Sequence, residues 1–340
     1  MTPQQPDADS RPRPSGGPVL VDARPQISVL IVGYNTRDLV LDCLDGLYQH
    51  TQGLPFEVLF VDCSDDGSEQ AIREKEPRVR VIDNQENLGY GRGNNFLARH
   101  ARGEYLLLLN PDTLIKDNAI GELYRFAQSN PEGGAWGGVT RLASGAIDPG
   151  CQQLKPSLFT MFLLTIGLGV FVKPSIEAAR SEGTQVHSLS GAFMMMPKAL
   201  WDKLGGFDES FFMYCEETDL CHRVQQSGRR VLITPRSSIV HLVGSGSSKS
   251  PKRMLALTRG AMHFTRKHHG PVYTFFDGIV RWLYSASRFT IGLAGAPLLG
   301  KERAAQLRQR HAPIVFQPTQ WIGGWQTPEK PSMSEESSTS

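Results

Sequence analysis

Four short apolar runs in the first third of the chain each end on polar residues, and segments with helical spacing separate them. The runs are ISVLIVG, FEVLFVD, VRVID and EYLLLL, and the last ends directly before Asn-Pro-Asp at 110–112. Apolar residues with helical spacing, such as Leu39 and Cys43, follow the first run. This alternation predicts βαβ units and an α/β fold with a mostly parallel central sheet flanked by helices on both faces.

Polar clusters follow the predicted strands at Tyr34-Asn35, Asp62 to Asp66, Asn110 to Asp112, and His241. Any single cluster is more typical of a turn than of a site. Because parallel strands end at one edge of a sheet, several clusters at such ends favour a shared ligand pocket.

Asp112 is a candidate ligand for a divalent cation. It stands next to Asn110 across a rigid proline, and Mg²⁺ and Mn²⁺ prefer oxygen ligands and commonly bridge carboxylates and substrate phosphates. His241 could add a nitrogen ligand, which Mn²⁺ tolerates better than Mg²⁺. A purely structural role for this histidine stays open.

Two common phosphate-binding motifs are missing from the sequence. No G-x-G-x-x-G follows the first strand, the glycines of GYGRGNN have the wrong spacing, and there is no P-loop motif. A phosphate would therefore be held mainly by a metal and loop amides. The net charge of +2 gives no argument for a nucleic-acid partner.

The segment FDESFFMYCEETDLCHRV places Glu216, Glu217 and Asp219 at a predicted helix start. The helix dipole favours acids there, and Asp219 could pair with Arg223 four residues later. The aromatic neighbours of these acids suggest another role, because apolar surroundings make a carboxylate a better general base. Both interpretations stay open.

The second half of the chain has a looser pattern. We predict loops around the glycine-rich segment AWGGVTRL, strands at LSGAFMMMP, RVLITP and SSIVHL, helices at KALWDKL and EETDLCHRVQQ, and a largely helical stretch from Lys252 to Ile291. Residues 1–25 are predicted to be a disordered leader without a signal peptide, and residues 316–340 a disordered tail.

Two apolar stretches, Leu158 to Val172 and Phe275 to Leu299, are too short or too interrupted by charge to predict membrane-spanning helices. A buried core helix and contact with a membrane surface are both open for them. The five cysteines lack zinc-finger spacing and suggest reduced thiols in a cytosolic protein.

Six segments in order resemble the motifs of family 2 glycosyltransferases, and most resemble the bacterial rhamnosyltransferase-like branch. They are SVLIVGYN, VDCSDDGS, NLGYGRGNN, LLLLNPD, SGAFMMMPKALWDKLGGFDESFFMYCEETDLCHRV and IVHLVGSGSS. The resemblance implies a GT-A domain at 26–248, with a Rossmann-like nucleotide-sugar half at 26–112 and an acceptor and catalytic half at 113–248. A helical region, 249–315, would follow.

The resemblance also implies roles for individual residues. Asn110-Pro111-Asp112 would replace the family's Asp-x-Asp with Asp112 as a metal ligand, and His241 would take the place of its late metal-binding histidine. Glu217 would stand where the family has the aspartate that deprotonates the acceptor, Glu216 would align with the preceding glutamate, and Asp219 is the reserve candidate for the base. The residues implied in donor binding are Tyr34, Asn35, Asp62, Asn87, Gly89, Asn94 and Asn110.

The function so implied is an inverting, metal-dependent transfer of a sugar from a nucleotide-diphospho-sugar, with Mn²⁺ or Mg²⁺ as cofactor. dTDP-rhamnose is the expected donor, while UDP- and GDP-sugars stay open. The acceptor would be a hydroxyl of a glycan or a lipid-linked glycan in cell-surface polysaccharide assembly. The protein would be cytoplasmic or peripheral on the inner face of the cell membrane.

Three other hypotheses remain. A non-catalytic nucleotide-sugar-binding protein with a decayed site would account for Asn110 and Glu217 at positions where the family has aspartates. A sugar nucleotidyltransferase would need a glycine-rich, basic loop after the first strand, which the sequence lacks. A membrane-surface scaffold would leave the acidic clusters without a purpose.

Overall fold

The computed structural model describes residues 24–153, 156–169, 178–242 and 250–325. Most of the predicted leader, and the predicted tail from residue 326 onward, lie outside the described residues. Residues 316–325, predicted to be disordered, are instead packed: a 3-10 turn at Pro318–Gln320 leads into Trp321, which is 1% exposed.

The described chain alternates strands and helices in its first part and is helical at its end. The strands are β1 (Ile27–Gly33), β2 (Phe56–Asp62), β3 (Arg80–Val81), β4 (Tyr105–Leu109), β5 (Thr113–Leu114), β6 (Gly133–Arg141), β7 (Gln152–Gln153), β8 (Thr184–Gln185), β9 (Ser188–Leu189), β10 (Phe193–Pro197) and β11 (Arg230–His241). The helices are α1 (Arg37–His50), α2 (Ser68–Lys75), α3 (Gly89–His100), α4 (Ala119–Ser129), α5 (Leu158–Thr165), α6 (Lys198–Leu204), α7 (Glu216–Gln226), α8 (Pro251–His268), α9 (Pro271–Ala294), α10 (Ala296–Leu299) and α11 (Lys301–Phe316).

The main sheet of the described chain has nine strands in the order β3-β2-β1-β4-β10-β6-β11-β5, with β8 also paired to β11. The pairs β1–β2, β1–β4, β2–β3 and β6–β11 are parallel, and β10 runs antiparallel to β4 and β6. The predicted α/β fold with a mostly parallel central sheet is confirmed. Large apolar clusters cover both faces of this sheet, as the near-continuous apolar strands require.

The prediction of loops around AWGGVTRL is wrong, because this segment forms the buried central strand β6. The glycines of this segment led to the prediction of loops. In the structure they are required by close packing against neighbouring residues. A Cβ on Gly137 would lie 2.5 Å from Leu189, and a Cβ on Gly138 would lie 2.5 Å from Phe193 and 2.7 Å from the backbone oxygen of Ser237. Glycine in a strand often marks such a close approach.

Two predicted strands at RVLITP and SSIVHL are one continuous strand, β11. The register with β6 shifts between Thr234 and Ser238, so an irregularity replaces the expected break. β3 is shorter than the run VRVIDN, since only Arg80 and Val81 pair with β2.

The C-terminal helices α8, α9 and α11 pack on one another, and α5 packs against α9. In the residues that the structure describes, neither apolar stretch forms an ordinary core helix, and the end of the first stretch, 170–172, lies outside those residues. None of the α5 residues is buried, and α9 exposes large apolar residues such as Phe275. Within the described ranges no helix combines the length and the apolar character needed to cross a bilayer.

Candidate active site

The ends of several strands meet at one edge of the sheet. Gly33 at the end of β1 pairs with Asp62 at the end of β2, and the first residue of β10, Phe193, pairs with the last residue of β4, Leu109. His241, the last residue of β11, lies opposite Thr113 of β5. The polar residues that follow these strands therefore share one edge, which is where open α/β sheets bind ligands.

Asp112 and His241 lie together at this edge. Asp112 Oδ1 is 3.2 Å from His241 Nε2, and the backbone oxygen of Asp112 accepts a 2.9 Å hydrogen bond from Leu242. The side-chain amide nitrogen of Asn110, Nδ2, is 3.5 Å from the same imidazole nitrogen, His241 Nε2. Pairing of β5 with β11 thus brings together residues that are far apart in the sequence.

A second carboxylate, Asp148, faces the other side of the His241 ring, with Oδ2 3.9 Å from Nδ1. Burial by itself would lower the pKa of His241, but the contacts with the carboxylates of Asp112 and Asp148 raise it to about 9. The nearby His241 in turn lowers the pKa of Asp148. Sequence reasoning missed Asp148, because in GAIDPG it reads only as a turn residue.

The Asp112–His241 pair fits a divalent cation. Two ligands in neighbouring octahedral positions of Mg²⁺ lie about 3 Å apart, close to the 3.2 Å separation found here. Among the described residues, no three histidine, cysteine or acidic side chains form a ready-made metal cluster. A bound cation would therefore need water and phosphate oxygens from a ligand to complete its coordination.

The acidic pair Glu216-Glu217 begins α7 directly after a turn with unusual backbone geometry. Tyr214 and Cys215 have φ values of 67° and 70°, which residues other than glycine rarely adopt. The turn rests on α8, because a Cβ on Gly260 would lie 2.4 Å from the backbone oxygen of Tyr214. Strained backbone of this kind is often found at functional sites.

Glu216 and Glu217 differ in their surroundings. Glu216 is buried, and its Oε2 has no hydrogen-bond partner. Burial, followed by the charge of Glu217, raises the pKa of Glu216 well above its usual range. Glu217 is half-buried, and its Oε1 accepts a 3.3 Å hydrogen bond from the backbone N–H of Gly191. Burial raises the pKa of Glu217 as well, while the Gly191 hydrogen bond acts against this.

Different environments push two neighbouring acids toward different roles. The pKa of Glu216 is raised well above its usual range by burial and by the charge of Glu217, whereas Glu217 lies at the surface of the site and accepts the Gly191 hydrogen bond.

Asp219 is fully buried, and its carboxylate is bound by three side chains. Its carboxylate lies 2.7 Å from Arg223 Nε, Lys267 Nζ and His268 Nε2. Burial would raise the pKa of Asp219, but these partners lower it. A carboxylate with three cationic or hydrogen-bonding partners is a poor proton acceptor, so the geometry favours Glu217 over Asp219 as the base.

The dipeptide Gly191-Ala192 links the base side of the site to the metal side. Gly191 N–H donates to Glu217, and Ala192 C=O accepts a 3.2 Å hydrogen bond from Asn110 N–H. The hydroxyl of Tyr90 donates to the carbonyl of Gly191 at 2.8 Å. The structure thus places Glu217 on one side of this dipeptide and the Asn110–Asp112 segment on the other.

Arg253, in the first turn of α8, is a further residue that sequence reasoning missed. Its guanidinium lies 5.7 Å from the centre of the Tyr214 ring, and its charge contributes to the lowered pKa of Asp148. A cation therefore stands between the turn that precedes the acids and the side of the site that holds His241. In the sequence it was one of many basic residues in a helical stretch.

The donor side of the site is built at the ends of β1 and β2. Asp62 is buried and accepts hydrogen bonds from the N–H and hydroxyl of Ser64, at 2.9 and 2.8 Å. Burial, together with the charge of Asp66, raises the pKa of Asp62 despite these bonds. Asn35, with φ of 53°, donates its N–H to Ser64, and Tyr34 is exposed at the rim.

A cavity of about 750 Å³ opens beside Asp62. Two of the expected donor residues, Asp62 and Asn87, line it, whereas Asp112, Glu217 and His241 do not. Cys63, Ser64 and Asp65, which also line it, belong to the polar cluster predicted at Asp62 to Asp66. The lining residues that sequence reasoning missed are Gly67, Glu69, Gln70, Arg73, Glu74, Asn84, Gln85 and Glu86. Glu69, Gln70, Arg73 and Glu74 lie on α2, and the others lie in the loops after β2 and β3.

The remaining expected donor residues shape the start of α3. Asn87 Oδ1 accepts a 3.0 Å hydrogen bond from Gly89 N–H, and Gly89 has a φ of 68° that suits glycine. Asn94 is 1% exposed and donates its amide to Tyr90 C=O. Asn94 therefore supports the helix from behind and does not reach the surface of the site.

The model of glycosyl transferase family 2 matches residues 28–205, which is just over half of the chain. The chain belongs to glycosyl transferase family 2. It is a glycosyltransferase, as the resemblance of its motifs implied. Glu217 and His241 lie beyond the matched segment of this family 2 member, in elements that the structure places at the same sheet edge.

Curated relatives of this family 2 chain include rhamnosyltransferases. It is 28% identical over 257 residues to an N-acetylglucosaminyl-diphospho-decaprenol L-rhamnosyltransferase of Mycobacterium tuberculosis, covering 70% of this chain and 80% of the relative. It is 26% identical over 160 residues to the rhamnosyltransferase WbbL of Escherichia coli, covering 45% of this chain and 60% of WbbL. The predicted rhamnosyltransferase-like character of the family 2 member is confirmed.

A solved structure of a mannosyltransferase has a similar fold. The mannosyltransferase PcManGT from Pyrobaculum calidifontis, solved with GDP-Man and Mn²⁺, matches with a TM-score of 0.57 and 19% identity. The match covers 89% of this chain and 86% of PcManGT. This likeness is one of fold, and the GT-A fold expected for a family 2 member is confirmed.

Proposed function

We propose that this glycosyltransferase transfers a sugar from a nucleotide-diphospho-sugar to an acceptor hydroxyl, with inversion at the anomeric carbon. The observation that carries the proposal is the pairing of Asp112 with His241 at 3.2 Å, across the Gly191-Ala192 dipeptide from Glu217. A candidate cation site and a candidate base thus flank a single stretch of backbone. Such a layout suits an acceptor and a diphosphate leaving group on opposite sides of one sugar.

In the proposed reaction Glu217 accepts the proton of the acceptor hydroxyl. The hydroxyl oxygen then attacks the anomeric carbon from the face opposite the diphosphate. The bond from that carbon to the diphosphate oxygen breaks, and the nucleoside diphosphate leaves with the bonding electron pair. Burial raises the pKa of the neighbouring Glu216, which favours its neutral form beside the base.

Asp112 and His241 would hold Mn²⁺ or Mg²⁺, and a cation bound there neutralises charge that develops on the departing diphosphate. Arg253 supplies a further positive charge from the chain itself, near both Tyr214 and Asp148. Asp62, Asn35 and the cavity beside β2 would hold the nucleoside. Asn110 replaces a carboxylate beside Asp112, which lowers the negative charge that the diphosphate meets.

The proposed donor is dTDP-rhamnose, on the support of the M. tuberculosis and E. coli relatives. The proposed acceptor is a lipid-linked glycan, since the name of the first relative specifies an N-acetylglucosaminyl-diphospho-decaprenol. The reaction would serve cell-surface polysaccharide assembly, with the protein peripheral on the inner face of the cell membrane.

Isothermal titration of dTDP-rhamnose, UDP-sugars and GDP-sugars, with and without Mn²⁺, tests the donor. The expected result is that one nucleotide-sugar binds more tightly with Mn²⁺ and releases its nucleoside diphosphate when acceptor is present. Tight binding without release under any acceptor condition would favour the non-catalytic nucleotide-sugar-binding protein. No binding of any nucleotide-sugar would overturn the proposal.

A further inference from the structure

Helix α9 has its apolar residues outside and its polar residues inside. Its exposed large side chains, which we call the outer face of α9, are Val272, Phe275, Phe276, Ile279, Trp282, Leu283, Ile291 and Leu293. Its buried residues are Thr274, Asp277, Gly278, Arg281, Ser285 and Gly292. A helix on a water-exposed surface has the opposite arrangement. The outward side of α9 is therefore suited to apolar surroundings.

Several polar groups on the inner side of α9 are bonded within the protein, and these bonds favour this orientation of the helix. Asp277 Oδ1 and Arg281 Nη2 have no hydrogen-bond partner among the described residues. Asp277 Oδ2 accepts hydrogen bonds from Arg281 Nε at 2.8 Å and from the Thr265 hydroxyl of α8 at 2.9 Å. The indole N–H of Trp282 donates to Val315 C=O of α11 at 3.1 Å, while its ring stays exposed. Rotating α9 to bring its apolar residues inside would break these bonds.

Neighbouring elements extend the outer face. α5 lies against α9 and exposes Phe159 and Phe162, and α10 exposes Leu298, which is 93% accessible. Within the described ranges, every exposed large apolar side chain apart from Tyr34, Phe212 and Met213 lies between residues 158 and 168 or between residues 271 and 322. Apolar exposure is thus concentrated in one layer and in the active site.

The same C-terminal region is strongly basic. Residues 251–325 contain eleven lysines and arginines but only two acids, Asp277 and Glu302, although the whole chain has a net charge of +2. Asp277 is buried against Arg281, so it does not offset the exposed charge. Exposed Arg266 precedes the start of α9, and exposed Lys301 and Arg303 follow Leu298, with exposed Glu302 between them offsetting one of the two charges. Positive charge therefore borders the apolar layer at both ends of α9.

We propose that the outer face of α9, together with α5 and α10, docks the protein on the surface of a bilayer that contains anionic lipid. The inference rests on the proposed function in that it says how this enzyme reaches a lipid-linked acceptor. Apolar side chains enter the boundary between headgroups and acyl chains, and the basic border pairs with lipid phosphates. Aromatic residues such as Phe275 and Trp282 are well suited to this boundary.

Charge favours a lipid surface over a second copy of the chain. A symmetric dimer through the outer face would bring two copies of the same basic region together, with like charges facing each other at the border. Anionic headgroups instead complement that charge. The apolar layer and the basic border fit the same partner.

The docking surface lies close to the base. α9 packs on α8, and Gly260 of α8 lies directly under the carbonyl of Tyr214, two residues before Glu216. A single helix therefore separates the outer face from the turn that leads to Glu217.

Vesicle flotation of the full chain tests the docking surface, with phosphatidylcholine vesicles that contain or lack phosphatidylglycerol. The wild-type protein is expected to float with the anionic vesicles and to be released by high salt. A triple variant, Phe275→Ser, Phe276→Ser and Ile279→Ser, should weaken flotation by about tenfold or more, because it removes inserted apolar surface. The matched control Phe275→Leu, Phe276→Leu and Ile279→Leu should float like the wild type.

A charge-reversed variant, Lys301→Glu and Arg303→Glu, should lose the preference for anionic vesicles. Equal flotation of wild type and the serine variant would overturn the proposal, as would wild-type protein that floats with neither vesicle. Sedimentation in the absence of lipid tests the alternative of a dimer. If the wild type sedimented as a dimer and the serine variant as a monomer, the outer face would belong to a contact between two copies, and docking on lipid would be overturned.

Titration with nucleotide-sugar separates this inference from the proposed function. The serine variant should bind the donor like the wild type, because the outer face is remote from the Asp62 cavity. Failure of flotation with intact donor binding would overturn docking alone. Failure of donor binding in the wild type would overturn the proposed function and leave the flotation result standing.

Discussion

Glu217 and Asp219 lie two residues apart on one helix, yet only one of them is available to accept a proton. The carboxylate of Glu217 accepts a hydrogen bond from Gly191 and is half-buried. The carboxylate of Asp219 is held by Arg223, Lys267 and His268. Residue type and spacing did not distinguish the two acids, because their partners come from other elements.

Glu217→Gln should lower kcat by about 10²–10⁴-fold and leave donor binding intact, because it removes a general base without changing size. Burial raises the pKa of Glu217, so wild-type kcat should rise with pH through a pKa above the ordinary glutamate value of 4.5. Initial-rate measurements of nucleotide release across pH check both points. Wild-type activity in the glutamine variant would exclude Glu217 as the base.

Binding of Mn²⁺ should release a proton from His241. The imidazole has its pKa raised to about 9, so it is protonated at neutral pH before the metal binds. A metal ligand must be neutral, so Mn²⁺ affinity should increase with pH, by about tenfold per unit from pH 6 to 8. Calorimetry in buffers of different ionisation enthalpy measures the proton directly.

The matched variant for this experiment is His241→Gln, which keeps a polar side chain without a titrating group. Its Mn²⁺ binding should be weak and nearly independent of pH. Binding by the wild type with no proton release would contradict the assignment of His241 as a ligand.

Helices α7 and α8 are joined by two contacts that bear on the site. One is the ion-pair cluster around Asp219, and the other is the close approach of Gly260 to Tyr214. The first holds the two helices together, and the second fixes the turn that precedes the acids. Each can be changed separately.

Asp219→Asn should destabilise the protein by roughly 3 kcal/mol, because it leaves Arg223, Lys267 and His268 without their shared counter-charge. The partners lower the pKa of Asp219, so its contribution is present above the unfolded pKa of about 4 and is lost as pH falls through the lower folded pKa. Urea unfolding at pH 7 and below pH 4 measures the difference. The control Asp202→Asn removes an exposed pair with Lys198 and should cost at most about 0.5 kcal/mol.

Gly260→Ala should lower kcat while the KM for the donor stays unchanged. The new Cβ would lie 2.4 Å from the backbone oxygen of Tyr214, so the turn before Glu216 must move. Alanine in a helix is favoured over glycine by about 1 kcal/mol, so a loss of activity without a loss of stability would point to positioning. Gly270→Ala, where no atom lies within 4 Å, is the control.

The elements that could be predicted from sequence are those with a strong period. β1, β2, β4 and β10 have apolar runs bounded by turn residues, and α1 and α7 have helical spacing. β6 could not be predicted, since its glycines are set by Leu189, Phe193 and Ser237, which contact it only in the folded chain. The break expected within β11 was wrong for a similar reason, because pairing with β6 continues through the irregularity.

At the scale of the whole molecule, the sequence located most of the candidate site because strand ends carry polar residues. Asp112, His241 and Asp62 come from that rule. Asp148 and Arg253 could not be found in this way. Their place in the site is set by His241 and Tyr214, which they approach only in the folded chain. The orientation of α9 also required the structure, because its apolar residues alone did not say which side is buried.

A chain that ends at Leu242 would contain every strand of the main sheet but would lack α8. We expect it to be less stable than the full chain, because Lys267 and His268 no longer balance Asp219. We also expect it to have no transferase activity, since the Tyr214 turn has lost Gly260 beneath it. Urea unfolding and nucleotide release measure the two effects, and full activity of the short chain would contradict the role given to α8.

The seat of the Tyr214 turn on α8 also limits how enzymes of this kind can be recombined. A chimaera joined between β5 and α4 exchanges the nucleotide half and keeps α7 and α8 from one parent. A chimaera joined between β11 and α8 separates Gly260 from the carbonyl it fits and Asp219 from its cations. The productive crossover point therefore lies before α7, even though the sheet itself is complete at His241.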